Sequence, residues 1–274
     1  MGISNLCSND PVLETLRDFF DATPLRIPEE RVQPGILLSR IGLKAHFLGP
    51  VTSAVDTLET FETHRSSLSN VSNMKTSAVK IGLGLNILDG FLSGFGLPGC
   101  GINAKSKLWS ESTLQFSFPN VERKYFDLVS FSKILGGYNF DIQNPIFTPI
   151  LKGKARLMVI DSILACSEFK VTFSKTANLD FLLNMNESND QEHHNKLANI
   201  QSTPGNGLLI RSHKRLTFAF SCVELILEET GSLLSMRNST KVRQLNALPE
   251  DEFPSLRSQR FYDEDGLLFW DEPL

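Results

Sequence analysis

The side chains able to do chemistry are few and scattered. Four cysteines stand at Cys7, Cys100, Cys166 and Cys222, and none forms a CxxC pair. A zinc site of the usual kind is therefore not expected. Cys166 and Cys222 lie in apolar, strand-like runs, where a thiol behaves as a small buried hydrophobe. Of the five histidines, His193 and His194 are adjacent, and neighbouring side chains diverge on a helix or a strand. GxSxG, HExxH and P-loop motifs are absent, and IGLGLNILDG lacks the third glycine of a dinucleotide fingerprint. The expectation is no catalytic residue, no metal and no cofactor; a triad built from distant residues is the enzymatic route left open.

Charge carries more information than any motif. The chain has 274 residues and a net charge of -4. From Pro249 to Leu274 there are eight acids and two arginines, a net -6. Residues 1–248 hold the other 25 bases and 23 acids, a net +2. General nucleic-acid binding needs a basic surface and is not expected. A cationic body suits anionic lipid head groups, and an acidic tail opposes that attraction. The alternative is an ordinary solvated acidic terminus. The tail also holds Phe261, Tyr262, Leu267, Leu268, Phe269 and Trp270. Four consecutive large apolar residues are costly to expose, so the tail is expected to dock on the body. Between them, residues 237–260 lack periodicity and contain Pro249 and Pro254, as an exposed, protease-sensitive linker does. A trypsin-like enzyme would favour Arg243, Arg257 or Arg260; one of other specificity would favour Leu245 or Leu248.

The elements that must position these parts are mixed. Asp10 and Pro11 open a short predicted helix with Val12, Leu13, Leu16, Phe19 and Phe20 at helical spacing. Residues 24–50 read as three short strands separated by prolines. Residues 52–77 are polar and rich in Ser and Thr. Ile81, Leu85, Leu88, Leu92 and Phe95 then make one apolar helical stripe. Gly82, Gly84, Gly90 and Gly94 weaken that helix by up to about 1 kcal/mol each relative to Ala. It is either a core helix packed closely through small residues or one that is remodelled to meet lipid.

Three stretches alternate at period two. Their apolar sets are Leu114, Phe116 and Phe118; Phe169, Val171 and Phe173; and Leu216, Phe218, Phe220 and Cys222, the last opposed by Arg215, Thr217, Ala219 and Ser221. With the apolar run before Phe169, residues 154–176 could form one very long strand. A bilayer needs about 9–11 strand residues, and Phe-rich alternation fits membrane strands. A soluble antiparallel sheet with one wet face shows the same pattern. Residues 184–207 are polar and read as a long loop. No apolar run reaches about 18 residues, so a transmembrane helix is excluded, and the N-terminus lacks the features of a secretory signal.

The segment CSNDPVLETLRDFFDATPLRIPEERVQP resembles the N-terminus of bacterial gasdermins. So does LNILDGFLSGFGLPGCGINAKSKLW followed by LQFSFPNVERKYFDL. The resemblance runs from Cys7 to about Leu234. It implies an α+β fold, a twisted antiparallel sheet ringed by helices, held inactive by a short C-terminal tail. It implies a pore-forming domain over 1–236, the linker over 237–260 and an autoinhibitory tail over 261–274. A protease would remove the tail. The body would then oligomerise on lipid and insert hairpins from roughly 71–118 and 156–223 as a large pore. The consequence would be regulated cell death, with antiphage defence as its setting. The latent form would be cytoplasmic and the active form in the cell's inner membrane. Cys7 matches the cysteine that carries a fatty acyl group in the family; on the residues alone it reads first as a free thiol. Two alternatives stand beside this reading: a relative of fungal type that fires on binding a partner, and a soluble lipid-binding module lidded by its tail.

Overall fold

Two long apolar stretches dictate the architecture. Residues 156–173 and 207–227 are rich in β-branched, aromatic and leucine side chains, which favour the pleated, half-buried environment of a sheet. In the computed structural model, which describes residues 22–41, 44–55, 61–68, 71–75, 88, 90–96, 114–173 and 198–238, both become single strands. They are β8 (Arg156–Phe173) and β10 (Gly207–Leu227), of 18 and 21 residues. At a rise of about 3.3 Å per residue they run roughly 60 and 70 Å.

They pair antiparallel from Leu225↔Leu157 to Gly207↔Thr172 and form the spine of an 11-stranded sheet. Short strands line each flank. Along the outer edge of β8 lie β2 (Ile36–Ile41), β7 (Val121–Tyr125) and β6 (Leu114–Phe118). Beyond them pair β3 (Lys44–Pro50), β4 (His64–Leu68) and β5 (Val71–Lys75). Along β10 lie β1 (Thr23–Glu29), β9 (Ala198–Thr203) and β11 (Leu233–Asn238). All pairings are antiparallel.

Helices sit on the faces. Leu88 and residues 90–94 are helical (α1), with α2 at Leu128–Leu135 and a single turn, α3, at Thr148–Leu151. Asp127 caps α2 by accepting a 2.7 Å hydrogen bond from the Ser130 amide, satisfying a donor that the helix start leaves free.

Three apolar clusters fill the interior. One, with Leu38, Met158, Ile160 and Phe220, lies under Val32 of the β1–β2 connection. A second, with Leu37, Val159, Phe126 and Phe131, lies on the opposite face of the same end, under α2 and α3. The third occupies the other end of the spine, under α1. Arg40, at the end of β2 opposite Arg156, is buried. Burial first, and then the Arg156 charge, draw its pKa down to about 10, so it stays charged at neutral pH.

Two expectations change. The polar stretch 52–77 contains β4 and β5, and the expected loop at 184–207 contains β9 and its turn. These strands lie at sheet edges, where ladder pairing holds them; β4 has no fully buried side chain, and β9 buries Ala198 and Ile200. The strict alternation of β10 also fails. Leu216, Phe218 and Ala219 join one cluster, and Phe220 and Cys222 another. A register shift between Thr217 and Ala219 turns the chain over, as a bulge does. Thr217 is thereby buried, and its hydroxyl donates to the Val32 carbonyl at 2.8 Å.

Candidate functional site

The end of the spine away from α2 is built from the Phe-rich alternating stretches. β8 presents Phe169, Val171 and Phe173 to one face, and β10 presents Leu208 and Ile210 to the same face; all five are buried. The opposite face carries Glu168, Lys170 and Thr172 opposite Arg211, Leu209 and Gly207. The pair is thus amphipathic across its thickness, with one ladder position per alternation. β6 extends the same pattern, pairing Phe116↔Val171 and Leu114↔Phe173.

α1 covers the apolar face through aromatic rings. The Phe91 ring centroid lies 4.5 Å from Phe169, 5.3 Å from Phe118 and 6.0 Å from Phe218. Phe95 lies 5.5 Å from Phe169, and Phe118 stacks on Phe218 at 4.8 Å. The helix approaches β1 closely, since a Cβ on Gly94 would fall 2.4 Å from the Pro28 carbonyl oxygen. That glycine therefore serves packing, as its place in a helix disfavouring glycine requires.

A waist divides the spine at residues 166–169. On one edge β7 stops pairing at Ala165 and β6 resumes at Lys170, with the Pro119–Asn120 turn between them. On the other edge residues 212–215 of β10 lie between pairs Arg211↔Glu168 and Leu216↔Cys166, four residues against one. Polar contacts gather there. Glu168 accepts from Asn120 Nδ2 at 2.8 Å and from Arg211 Nε at 2.9 Å. Arg215 donates to the Asn120 carbonyl at 3.2 Å and stands 3.6 Å from Glu122. Lys214 pairs with Glu30 at 2.7 Å. The basic partners are exposed, Glu30 with them, while Glu168 and Glu122 are half-buried; exposed pairs contribute at most about 1 kcal/mol each.

The structure brings seven of the nine expected strand residues together in one cluster. Phe116, Phe118, Phe169, Val171, Phe173, Leu216 and Phe218 share the cluster under α1, and Leu114 occupies the adjoining position of β6. Phe220 lies apart, in the cluster under Val32. In the helical stripe, Leu88, Leu92 and Phe95 are buried as expected, with Phe91 between them. Cys7, the cleavage candidates Arg243, Leu245, Leu248, Arg257 and Arg260, and the tail residues Phe261, Tyr262, Leu267, Leu268, Phe269 and Trp270 lie outside the described residues. So does the helix expected to begin at Asp10. Sequence reasoning missed the waist. Its signal was Arg211-Ser212-His213-Lys214-Arg215, five polar residues that interrupt an otherwise apolar alternation.

The sequence over residues 25–232 matches the model of the Bacterial Gasdermin Family. A search of curated proteins finds no match. Among solved structures the chain is similar to a bacterial gasdermin from Bradyrhizobium tropiciagri, with a TM-score of 0.55 at 12% identity over 81% of this chain and 89% of that one. It also matches the Gasdermin A3 membrane pore, with a TM-score of 0.35 at 9% identity over 84% of this chain and 97% of that one. The large antiparallel sheet with a few helices is the fold of the first of these.

Proposed function

This chain belongs to the bacterial gasdermin family, and on that premise we propose that it is a latent pore-forming effector, not an enzyme, released by proteolysis of its C-terminal segment. The observation that carries the reading is the spine. β8 and β10, at 18 and 21 residues, each exceed the 9–11 or so that cross a bilayer. One end of the pair already separates an apolar from a polar face, as a membrane strand must.

Self-association follows from the same sheet. β1, β3, β4, β5, β9 and β11 each pair on one side only among the described residues. Such edges are templates for a second copy, and in lipid they are tolerated only when a ring closes. The tail of net -6 on a body of net +2 supplies the restraint. Its removal leaves a cationic body drawn to anionic lipid. A fatty acyl group on Cys7 would add about 0.8 kcal/mol per buried CH₂ to membrane entry. Its presence is decided by intact mass, compared with Cys7→Ala. The biological outcome would be loss of the cell's own membrane barrier, as in defence against phage.

The test is dye release from phosphatidylethanolamine–phosphatidylglycerol vesicles. The full chain carries a specific protease site placed between residues 243 and 249. Release is expected only after cutting. A cut protein that binds vesicles without releasing dye would instead support a lipid-binding module. Release by the uncut chain at the same rate would remove the inhibitory role of the tail.

A further inference from the structure

The waist has a consequence for how the strand pair could enter a bilayer, and the inference rests on the pore-forming reading above. In the folded chain the two ends of β8 use opposite parities for their buried face. Leu164 and Cys166 share the cluster under α1 with Phe169, Val171 and Phe173. Ile163 and Ala165 point into the other cluster. An even and an odd set thus lie on one face, which a regular strand cannot do, because side chains alternate strictly. The irregular step lies at Ser167 and Glu168, where residues 212–215 of β10 stand opposite Ser167 alone.

A regular strand through the same sequence sorts itself differently. The odd positions from 163 to 173 are Ile, Ala, Ser, Phe, Val and Phe; the even positions from 164 to 172 are Leu, Cys, Glu, Lys and Thr. In β10 the even positions from 208 to 216 are Leu, Ile, Ser, Lys and Leu, and the odd ones from 209 to 215 are Leu, Arg, His and Arg. The pairing beyond the waist, Arg211↔Glu168 to Gly207↔Thr172, already joins odd β8 residues to even β10 residues.

We infer that β8 and β10 hold a second, uninterrupted register in which the pairing beyond the waist runs on through it, and that this is the register of the inserted hairpin. Residues 163–173 then face 206–216, eleven against eleven, the length a bilayer takes at its upper end. The continued ladder is Ser167↔Ser212, Cys166↔His213, Ala165↔Lys214, Leu164↔Arg215 and Ile163↔Leu216. One face becomes Ile163, Ala165, Phe169, Val171, Phe173, Leu208, Ile210 and Leu216. The other gathers Glu168, Lys170, Arg211, His213 and Arg215. Lys214 falls on the apolar face but two residues from the end of the span, where its ammonium reaches the interface along its own stem. The rival uniform register continues Phe220↔Ile163 and Ala219↔Leu164 instead. It would set Lys214 opposite Phe169 at mid-span, where a charge costs about 2–4 kcal/mol.

The contacts that hold the present waist suit this change. The Glu168–Arg211 pair is common to both registers. The Lys214–Glu30 and Arg215–Glu122 pairs break; the first is exposed and the second, at 3.6 Å, is partly exposed, so their loss costs little. Residues 212–215 stop being an insertion and become ladder.

Cys166 reports the change. It is 1% exposed under α1, and in the second register it lies on the polar face beside Glu168. The cleavable full chain described above is treated with a charged, membrane-impermeant thiol reagent before and after pore formation, and Cys166 is followed by peptide mass. Two variants, His213→Cys and Leu216→Cys, are oxidised in parallel and their disulfides mapped. The expected result is a Cys166 that is unlabelled in the uncut chain and labelled in the pore. In Leu216→Cys, a disulfide from Cys166 to the introduced thiol should form in the uncut chain and block release. In His213→Cys, the disulfide from Cys166 to the introduced thiol should form in the pore. Dye release with Cys166 still unlabelled, or with the disulfide of the Leu216→Cys variant intact, overturns the register change while leaving the pore reading in place. Absence of release by the cut, unsubstituted chain overturns both.

Discussion

Replacing Phe91 with alanine tests whether α1 holds the hairpin end of the spine in its soluble packing. Phe91 is 4% exposed and its ring lies within 4.5–6.2 Å of four others, those of Phe95, Phe118, Phe169 and Phe218. Removing a buried phenylalanine costs about 3–5 kcal/mol, the transfer of the ring together with the cavity it leaves. Each ring pair adds about 0.5–1.5 kcal/mol beyond area, which places this site toward the upper end of that range. The substitution keeps the backbone of α1 and raises its helix propensity slightly, so any loss comes from packing. Urea unfolding of the full chain should show a fall of that size. Amide exchange should place the loss at residues 168–173 and 207–211 rather than at β2 and β3, whose cores lie elsewhere. The uncut variant should also release vesicle dye faster than the uncut parent. A change below about 1 kcal/mol, the range of an ordinary surface substitution, would refute the role given to α1. Val129→Ala, at a residue 62% exposed on α2, is the matched control and should alter nothing.

Thr217→Val should cost about 1–3 kcal/mol in urea unfolding, because the Val32 carbonyl loses its 2.8 Å donor inside the protein; an unchanged midpoint would mean that this carbonyl finds another partner. Gly94→Ala should lower Tm despite a helix-propensity gain of about 1 kcal/mol. The new Cβ would meet the Pro28 carbonyl oxygen at 2.4 Å, and forced repacking costs about 1–3 kcal/mol; a raised Tm would mean that α1 shifts freely. Asp127→Ala should destabilise α2 at neutral pH. The Ser130 amide holds the Asp127 carboxyl below its usual 3.8, so its contribution is complete above that value and is lost as pH falls through the lower, folded one. The Tm difference from the parent should therefore shrink on acidification, and a difference independent of pH would sink the capping account.

The amino-acid sequence by itself determined the strand-forming stretches, since period-two alternation follows from the pleat and needs no partner. It determined a long strand within residues 154–176, which the structure bounds at Arg156–Phe173, the short strands within 24–50, and the buried stripe through Leu88, Leu92 and Phe95. The charge reversal after residue 248 is likewise a property of order in the chain. Only the tertiary structure decided which faces of those strands meet. Alternation assigns a residue to one of two sides but cannot see an irregular step, because a shift of one residue leaves composition and local pattern unchanged while exchanging every side chain between faces. So Phe218 and Phe220, on the same side of one alternation, part into separate cores, and Thr217, polar by type, is buried. β4, β5 and β9 were illegible for a related reason. β4 and β5 are held by the ladders of β7 and β6, neighbours distant in sequence that no local pattern announces. β9 pairs with the start of β10 across the turn at 204–206, and its buried apolar set, Ala198 and Ile200, is too short to stand out.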